Sequence, residues 1–165
     1  MRPGKPSFMA EAVAWFRAAH QLIDDAPRVL DDPLALDVLG PDAAKHIADQ
    51  HDRLTQTYMK KARTLVLVRS RFAEEQLLEA HQARGVDQYV LLGAGLDTSP
   101  YRLPASLSSL QIFEVDHPDT QRWKRERLAA AGIEAPESLT YVGADLNAVP
   151  LLDALIARDI FVRMP

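Results

Sequence analysis

The chain contains no cysteine among its 165 residues. That excludes disulfides, a thiolate nucleophile and cysteine-ligated zinc, and is compatible with the cytosol, which is the expected location. It has no apolar run of the roughly 18 residues that a membrane span needs. No apolar stretch follows the charged start Met1-Arg2-Pro3-Gly4-Lys5-Pro6, so the N-terminus does not read as a signal peptide. An excess of positive charge is missing too. Lys and Arg number 19 against 23 Asp and Glu, a formal net charge of -4, which disfavours nucleic acid or a membrane surface as partner. His20, His46, His51, His81 and His117 show no metal-ligand spacing, and no His-Glu-x-x-His pair occurs, so no metal is expected. Neither a Gly-x-Ser-x-Gly elbow nor a Gly-Lys-Ser/Thr phosphate loop is present. There is no internal repeat and no low-complexity tract.

What remains is an ordinary globular composition, 47% apolar and 25% charged, at a length that allows one domain with a real core. The order of patterns along it predicts helices first and strands later. Residues 1–7, with two prolines and a glycine, read as a loose arm. Phe8, Ala12, Trp15, Phe16, Ala19 and Ile23 recur at helical steps and predict a helix over 8–24. Asp32 then stands as N-cap of a short helix with Pro33 at its first position, and Gly40-Pro41 stops it. Residues 42–61 are helical but weakly patterned. A stronger helix spans 62–83, with Val68, Phe72, Ala73, Leu77 and Ala80 as its apolar face and Gly85 as C-terminal cap.

After Gly85 the pattern changes to β-α-β. Tyr89-Val90-Leu91-Leu92 predicts a strand over 88–93 that runs into Gly93-Ala94-Gly95. A second strand covers 111–116 and ends at Asp116. Pro118 opens a helix to about residue 131. Leu139-Thr140-Tyr141-Val142 is a third strand, Leu151, Leu152, Ala154, Leu155 and Ile156 a helix, and Ile160-Phe161-Val162 the beginning of a fourth strand. The fold class is therefore α/β: a helical cap over 1–85, then the first half of a doubly wound, Rossmann-like parallel sheet over 86–165. Three strands and a stub are few, which leaves an unpaired strand edge. Another chain covers it, self-association through it being one form of that, or the sequence is part of a longer protein.

The glycine turn and the acid beyond it suggest a nucleoside site. A Gly-x-Gly turn lets backbone pass close to a ligand, and the next strand delivers a carboxylate at ribose height. Asp116 lies 21 residues beyond Gly95, close to the roughly 20 expected for a ribose-binding acid. Thr98 stands where a dinucleotide fingerprint has its third glycine, which argues for a nucleoside without pyrophosphate. S-adenosylmethionine fits that description. Gly143-Ala144-Asp145-Leu146-Asn147 follows the third strand, and parallel strands end on one sheet edge, so Asp145 could meet the adenine amino group and Leu146 its ring.

Each residue also has a plainer reading. The glycines could form only a tight turn, Asp116 could only N-cap the next helix, and Asp145 could only close an Asx-turn. Glu114 faces the ligand, a partner or solvent. Arg69 and Arg71 are solvated, or one of them holds a carboxylate. Arg122, Lys124, Arg125 and Arg127 read as a solvated helix face, and His20 and His81 as ordinary helix residues.

These segments together resemble the leucine carboxyl methyltransferase-like family of S-adenosylmethionine-dependent methyltransferases, closest to its bacterial O-methyltransferase branch. The resemblance is carried by Arg17-Ala18-Ala19-His20, Asp31-Asp32-Pro33-Leu34-Ala35 and Arg69-Ser70-Arg71-Phe72. It continues through Leu91-Leu92-Gly93-Ala94-Gly95-Leu96-Asp97-Thr98 with Tyr101-Arg102-Leu103, then Phe113-Glu114-Val115-Asp116-His117-Pro118 and Asp145-Leu146. It implies a class I methyltransferase sheet and an S-adenosylmethionine site. Arg69 would hold the methionine carboxylate, and Gly93, Ala94 and Gly95 would approach the methionine part. Asp116 would bind the ribose hydroxyls, and Asp145 and Leu146 the adenine. The acceptor would be a small-molecule or protein carboxylate or hydroxyl. No residue is assigned as general base. The chain departs from the pattern at Ser99-Pro100, where relatives often have Arg-Ala, and at Ala73, where they often have Asp. Relatives also continue from about residue 160 into a strand with a Glu-Gly motif and an acceptor lid. Two other readings stand beside this one: a non-catalytic remnant that binds cofactor weakly or with a partner, and an NAD-dependent oxidoreductase.

Overall fold

The computed structural model describes residues 6–156. Helix α1 (Phe8–Ile23) starts at Ser7, whose side chain accepts a 3.1 Å bond from the Ala10 N–H. Its inward face combines the fully buried Ala14, Ala18 and Ala19 with the buried Arg17 and His20. Residues 42–61 break into α2 (Ala43–Asp49) and α3 (His51–Leu54), and the long helix α4 (Thr57–Arg84) begins five residues earlier than its pattern suggests. Gly85 closes α4 as expected: its φ of 67° is the left-handed cap, its N–H donates to the His81 carbonyl at 3.0 Å and the Val86 N–H to the Ala80 carbonyl at 3.3 Å. Ala18, Ala19, Ala35, Ile47 and Leu54 form the core of this helical part.

The sheet follows as β1 (Gln88–Leu92), β2 (Gln111–Asp116) and β3 (Leu139–Gly143). All pairings are parallel and the order is β1-β2-β3. Helix α5 (Pro118–Ala130) connects β2 to β3, and α6 (Leu151–Ile156) follows β3. Alternation along β2 sends Ile112 and Glu114 to one face, Phe113 and Val115 to the other. The first face packs Ile112 with Leu77, Leu107, Leu110 and Leu139. The second packs Phe113 and Val115 with Val142, Ala154 and Leu155, so α6 covers the side opposite α5. A further cluster of Ala14, Val38, Leu96 and Leu128 joins α1, the turn after β1 and α5. The helical part and the sheet therefore share buried contacts. The expected strand at 160–162 lies outside the described residues.

Five expectations are corrected. The segment after Asp32 is a three-residue 3-10 turn (Pro33–Ala35), and Asp32 makes no capping bond. It is instead fully buried against Arg17 and Arg102. The apolar face of α4 is turned differently: Val68 and Phe72 are exposed, while Arg63, Leu67 and Leu77 are buried. Arg63 clamps Asp24 at the end of α1 with bonds of 2.7 and 2.6 Å, so the inward side of α4 carries a paired charge beside its leucines. The basic helix face of α5 is not uniformly solvated. Lys124 is fully buried on Glu114 at 2.5 Å, Arg125 lies over the Tyr141 ring and Arg127 over Trp123. Glu114 accordingly faces neither ligand nor solvent. His20 is more than an ordinary helix residue, since its Nδ1 contacts Asp24 at 2.7 Å.

Candidate functional site

A cleft of about 530 Å³ opens where the turn after β1 meets α1 and α4. Two larger hollows, of about 950 Å³ beside α5 and Tyr141 and about 640 Å³ between α1 and Trp123, touch neither the glycine turn nor Asp116. Arg69, Gly93, Ala94, Gly95 and Asp116 all line the smaller cleft.

The turn is built by backbone. Gly93 and Ala94 donate their N–H groups to the Val115 carbonyl at 2.8 and 3.3 Å, and Asp97 N–H reaches the Ala94 carbonyl at 2.9 Å. Gly93 and Gly95 have φ of 63° and 57°, a region costly for residues with a Cβ. A Cβ at Gly95 would lie 3.1 Å from Ala10 Cβ, whereas one at Gly93 would meet nothing within 4 Å.

Asp116 is placed by the end of β2. Its Oδ2 accepts from Gly95 N–H and its Oδ1 from His117 N–H, both at 2.6 Å. It is not the helix cap that one reading allowed. That role falls to His117, whose Nδ1 accepts from Asp119 N–H at 3.2 Å.

Asp145 and Leu146 sit at the same sheet edge but do not line this cleft. The pairing of Asp116 with Gly143 and the 2.9 Å bond from Ala144 N–H to the Asp116 carbonyl put the β3 tip beside the β2 tip. Asp145 closes the Asx-turn that its plainer reading described, with Oδ1 accepting from Asn147 N–H and Nδ2 at 3.0 Å each. Those two bonds hold its carboxyl below the usual carboxylate range. Leu146 is exposed.

Of the two arginines considered, Arg71 is occupied by Glu75 and the Val29 carbonyl. Arg69 is exposed and lines the cleft. Sequence reasoning missed Ala10 and Arg17 of α1, and Tyr89 and Asp97 on either side of the glycines, all of which line it too. Arg17 is 1% exposed. Its Nη2 donates to the Leu96 carbonyl, its Nη1 to Asp97 Oδ1 at 3.2 Å, and its Nε lies 3.3 Å from Asp32 Oδ2 without hydrogen-bond geometry. Arg102 extends this network, contacting Asp32 at 3.3 Å and gripping both oxygens of Glu74 at 2.9 and 2.5 Å. Thr98 Oγ1 donates to Asp32 Oδ1 at 2.6 Å. Burial pushes the Asp97 carboxyl up, but Arg17 and the Ser99 N–H outweigh it, and the net direction is down. Tyr89, also at the cleft, is pushed up to about 12, by burial first and then by Asp97 and other carboxylates. Its phenol stays protonated at neutral pH and is no base.

A parallel sheet, a Gly-x-Gly turn and a carboxylate one strand over are the parts from which α/β proteins build nucleoside sites. The chain matches the leucine carboxyl methyltransferase family over residues 10–162, and it belongs to that family. It is 32% identical over 176 residues to YktD of Bacillus subtilis strain 168, covering 93% of this chain and 58% of the relative. It is 36% identical over 159 residues to the Parafrankia protein Franean1_4929, covering 88% and 47%. A Mycobacterium marinum protein is 34% identical over 129 residues, covering 74% and 42%. All three are provisionally named S-adenosyl-L-methionine-dependent methyltransferases. The chain thus spans about half the length of the curated relatives it matches.

Proposed function

We propose that this chain binds S-adenosylmethionine in the cleft between α1, α4 and the β1 and β2 tips, and that it is the donor-binding portion of an O-methyltransferase. The observation that carries the reading is the convergence of Arg69, the glycine turn and Asp116 on one cleft wall. The fit is chemical as well as spatial. The cleft volume of about 530 Å³ lies within the few hundred to about 1,000 Å³ typical of small-molecule sites. The open space at Gly93 gives a ligand direct access to backbone. Asp116 offers a carboxylate for ribose hydroxyls, and Arg69 a guanidinium for the amino-acid carboxylate. Asp145 and Leu146, on the neighbouring tip, are assigned to the adenine end.

The bound donor supplies an electrophilic methyl group on a sulfonium that is already a good leaving group. The protein's part is then to align, fix orientation and exclude water. Arg69 holds the amino-acid end of an extended ligand and Asp116 its ribose, and the backbone of residues 93–95 passes between them. The proposed acceptor is a carboxylate, which needs no general base, or a hydroxyl, which does.

Calorimetric titration tests the reading. S-adenosylhomocysteine is expected to bind one to one and NAD(H) not to bind. Binding of NAD(H) alone would replace the methyl-donor reading with an oxidoreductase one. Binding of S-adenosylhomocysteine without methyl transfer to a carboxylate or hydroxyl acceptor would favour a non-catalytic cofactor-binding role.

A further inference from the structure

The charge network behind the glycine turn is unbalanced. Arg17 and Arg102 face three carboxylates, Asp32, Glu74 and Asp97. The nearby Lys124 does not redress this, because it is already paired with Glu114 at 2.5 Å. Glu74 is satisfied by the two-pronged grip of Arg102. Asp32 is fully buried between both arginines and takes the Thr98 hydroxyl. The surplus negative charge therefore falls to Asp97, whose side chain is 30% exposed and lines the cleft. Arg17 Nη1 and the Ser99 N–H both go to its Oδ1. Its Oδ2 makes no hydrogen bond among the described residues and stays accessible.

We infer that Asp97 receives the α-ammonium group at the amino-acid end of the methyl donor, and that Arg17 is the positioning residue that aims the Asp97 carboxylate into the cleft. The inference rests on the donor-binding reading above. The chemistry is complementary. The amino-acid end of the donor carries one anion and one cation, and the cleft wall offers Arg69 for the first and Asp97 for the second. Arg17 is held on three sides, by Asp32, the Leu96 carbonyl and Asp97. It thereby fixes the turn backbone and the carboxylate rotamer together. A carboxylate already oriented by a buried guanidinium loses little freedom when an ammonium group arrives.

The test varies the ligand as well as the protein. Three probes are titrated calorimetrically: S-adenosylhomocysteine, its analogue with hydrogen in place of the α-amino group, and 5′-methylthioadenosine, which lacks the amino-acid end. With the unaltered chain, the deamino analogue is expected to bind at least about tenfold more weakly than S-adenosylhomocysteine. Asp97→Asn is expected to weaken S-adenosylhomocysteine by a similar factor and to leave the other two probes unchanged. Arg17→Lys, which keeps the charge and loses the fork, is expected to weaken S-adenosylhomocysteine selectively and by less. Equal binding of the first two probes by the unaltered chain overturns the inference without any variant. So does Asp97→Asn weakening all three probes alike, which is what a merely structural role would produce. Failure of the unaltered chain to bind any probe overturns the donor reading itself, and this inference with it.

Discussion

Asp116 Oδ2 and Gly95 N–H are joined by a 2.6 Å hydrogen bond that ties the tip of β2 to the turn after β1. The carboxylate assigned to ribose thus also fixes the backbone that would approach the ligand. Asp116→Ala removes the acceptor for Gly95 and for His117 together. Leaving these donors without a partner is expected to cost about 1–3 kcal/mol in urea unfolding. S-adenosylhomocysteine affinity should fall by at least about tenfold, as expected for loss of a charge-assisted contact. Unchanged affinity in a folded Asp116→Ala protein would remove the ribose role.

The two glycines of the turn should separate stability from binding. Alanine at either position adopts a left-handed φ, at about 1–2 kcal/mol. At Gly95 the new methyl also presses on Ala10 at 3.1 Å, so Gly95→Ala should lose more stability than Gly93→Ala. At Gly93 the methyl enters open space on the cleft wall. Gly93→Ala should therefore show the smaller drop in melting temperature and a clear loss of S-adenosylhomocysteine binding. A Gly93→Ala protein that binds like the parent would place the ligand away from this stretch of backbone.

The clamp between α1 and α4 predicts an acid-sensitive stability. Burial pushes the Asp24 carboxyl up, but its bonds to Arg63 and His20 prevail and hold it below its ordinary 3.8. A depressed carboxylate contributes stability above its unfolded pKa and loses it as pH falls through the folded value. Asp24→Asn leaves Arg63, which is 2% exposed, without its countercharge, and should cost about 3 kcal/mol at pH 7. The gap between parent and variant should shrink progressively below about pH 4. Urea unfolding at pH 3 and pH 7 measures it, and a pH-independent gap would show that the charge of Asp24 is not what matters.

Lys124 and Glu114 form a second buried pair, with Lys124 Nζ 5.3 Å from the Tyr101 ring centre. Burial raises the Glu114 carboxyl and Lys124 only partly offsets it. Lys124→Met should strand Glu114, whose Oε2 already lacks a hydrogen bond, and cost about 3–5 kcal/mol. Glu114→Leu with Lys124→Met should recover most of that loss, because both charges leave together. A double variant as unstable as the single one would show that the two positions act independently.

These buried charges also explain what the sequence concealed. The strands, the glycine turn, Asp116 and the Gly85 cap were legible because each depends on its immediate neighbours. The inward face of α4 was not. It includes Arg63, buried on Asp24 39 positions away, and an apolar pattern assigns an arginine to the outside. Lys124 misleads in the same way, since only folding brings Glu114 beneath it. Asp32 looked like a cap because Pro33 follows it, yet its partner Thr98 is 66 positions distant. Arg17 is the clearest case. It sits in a recognisable Arg-Ala-Ala-His segment, but its reach to Leu96 and Asp97 is visible only in three dimensions.

The surface suggests one more measurable property. Strand β1 is an edge strand of the three-stranded sheet among the described residues, and Leu92 at its end is 55% exposed. On α4, Leu65, Val68 and Phe72 are exposed too, Phe72 by 61%. They recur at three- and four-residue steps and form a stripe along one side of the helix. An open strand edge and an apolar stripe both favour association when nothing covers them. Sedimentation velocity should therefore show the chain associating as its concentration rises. Leu92→Lys charges the strand edge, and Phe72→Glu charges the helix stripe. Neither side chain belongs to a buried cluster, so neither change should lower the melting temperature appreciably. If the edge is the contact, Leu92→Lys restores a monomer and Phe72→Glu does not; if the stripe is the contact, the reverse holds. A parent chain that sediments as a single monomer at every concentration would mean that these surfaces are not sticky enough to matter.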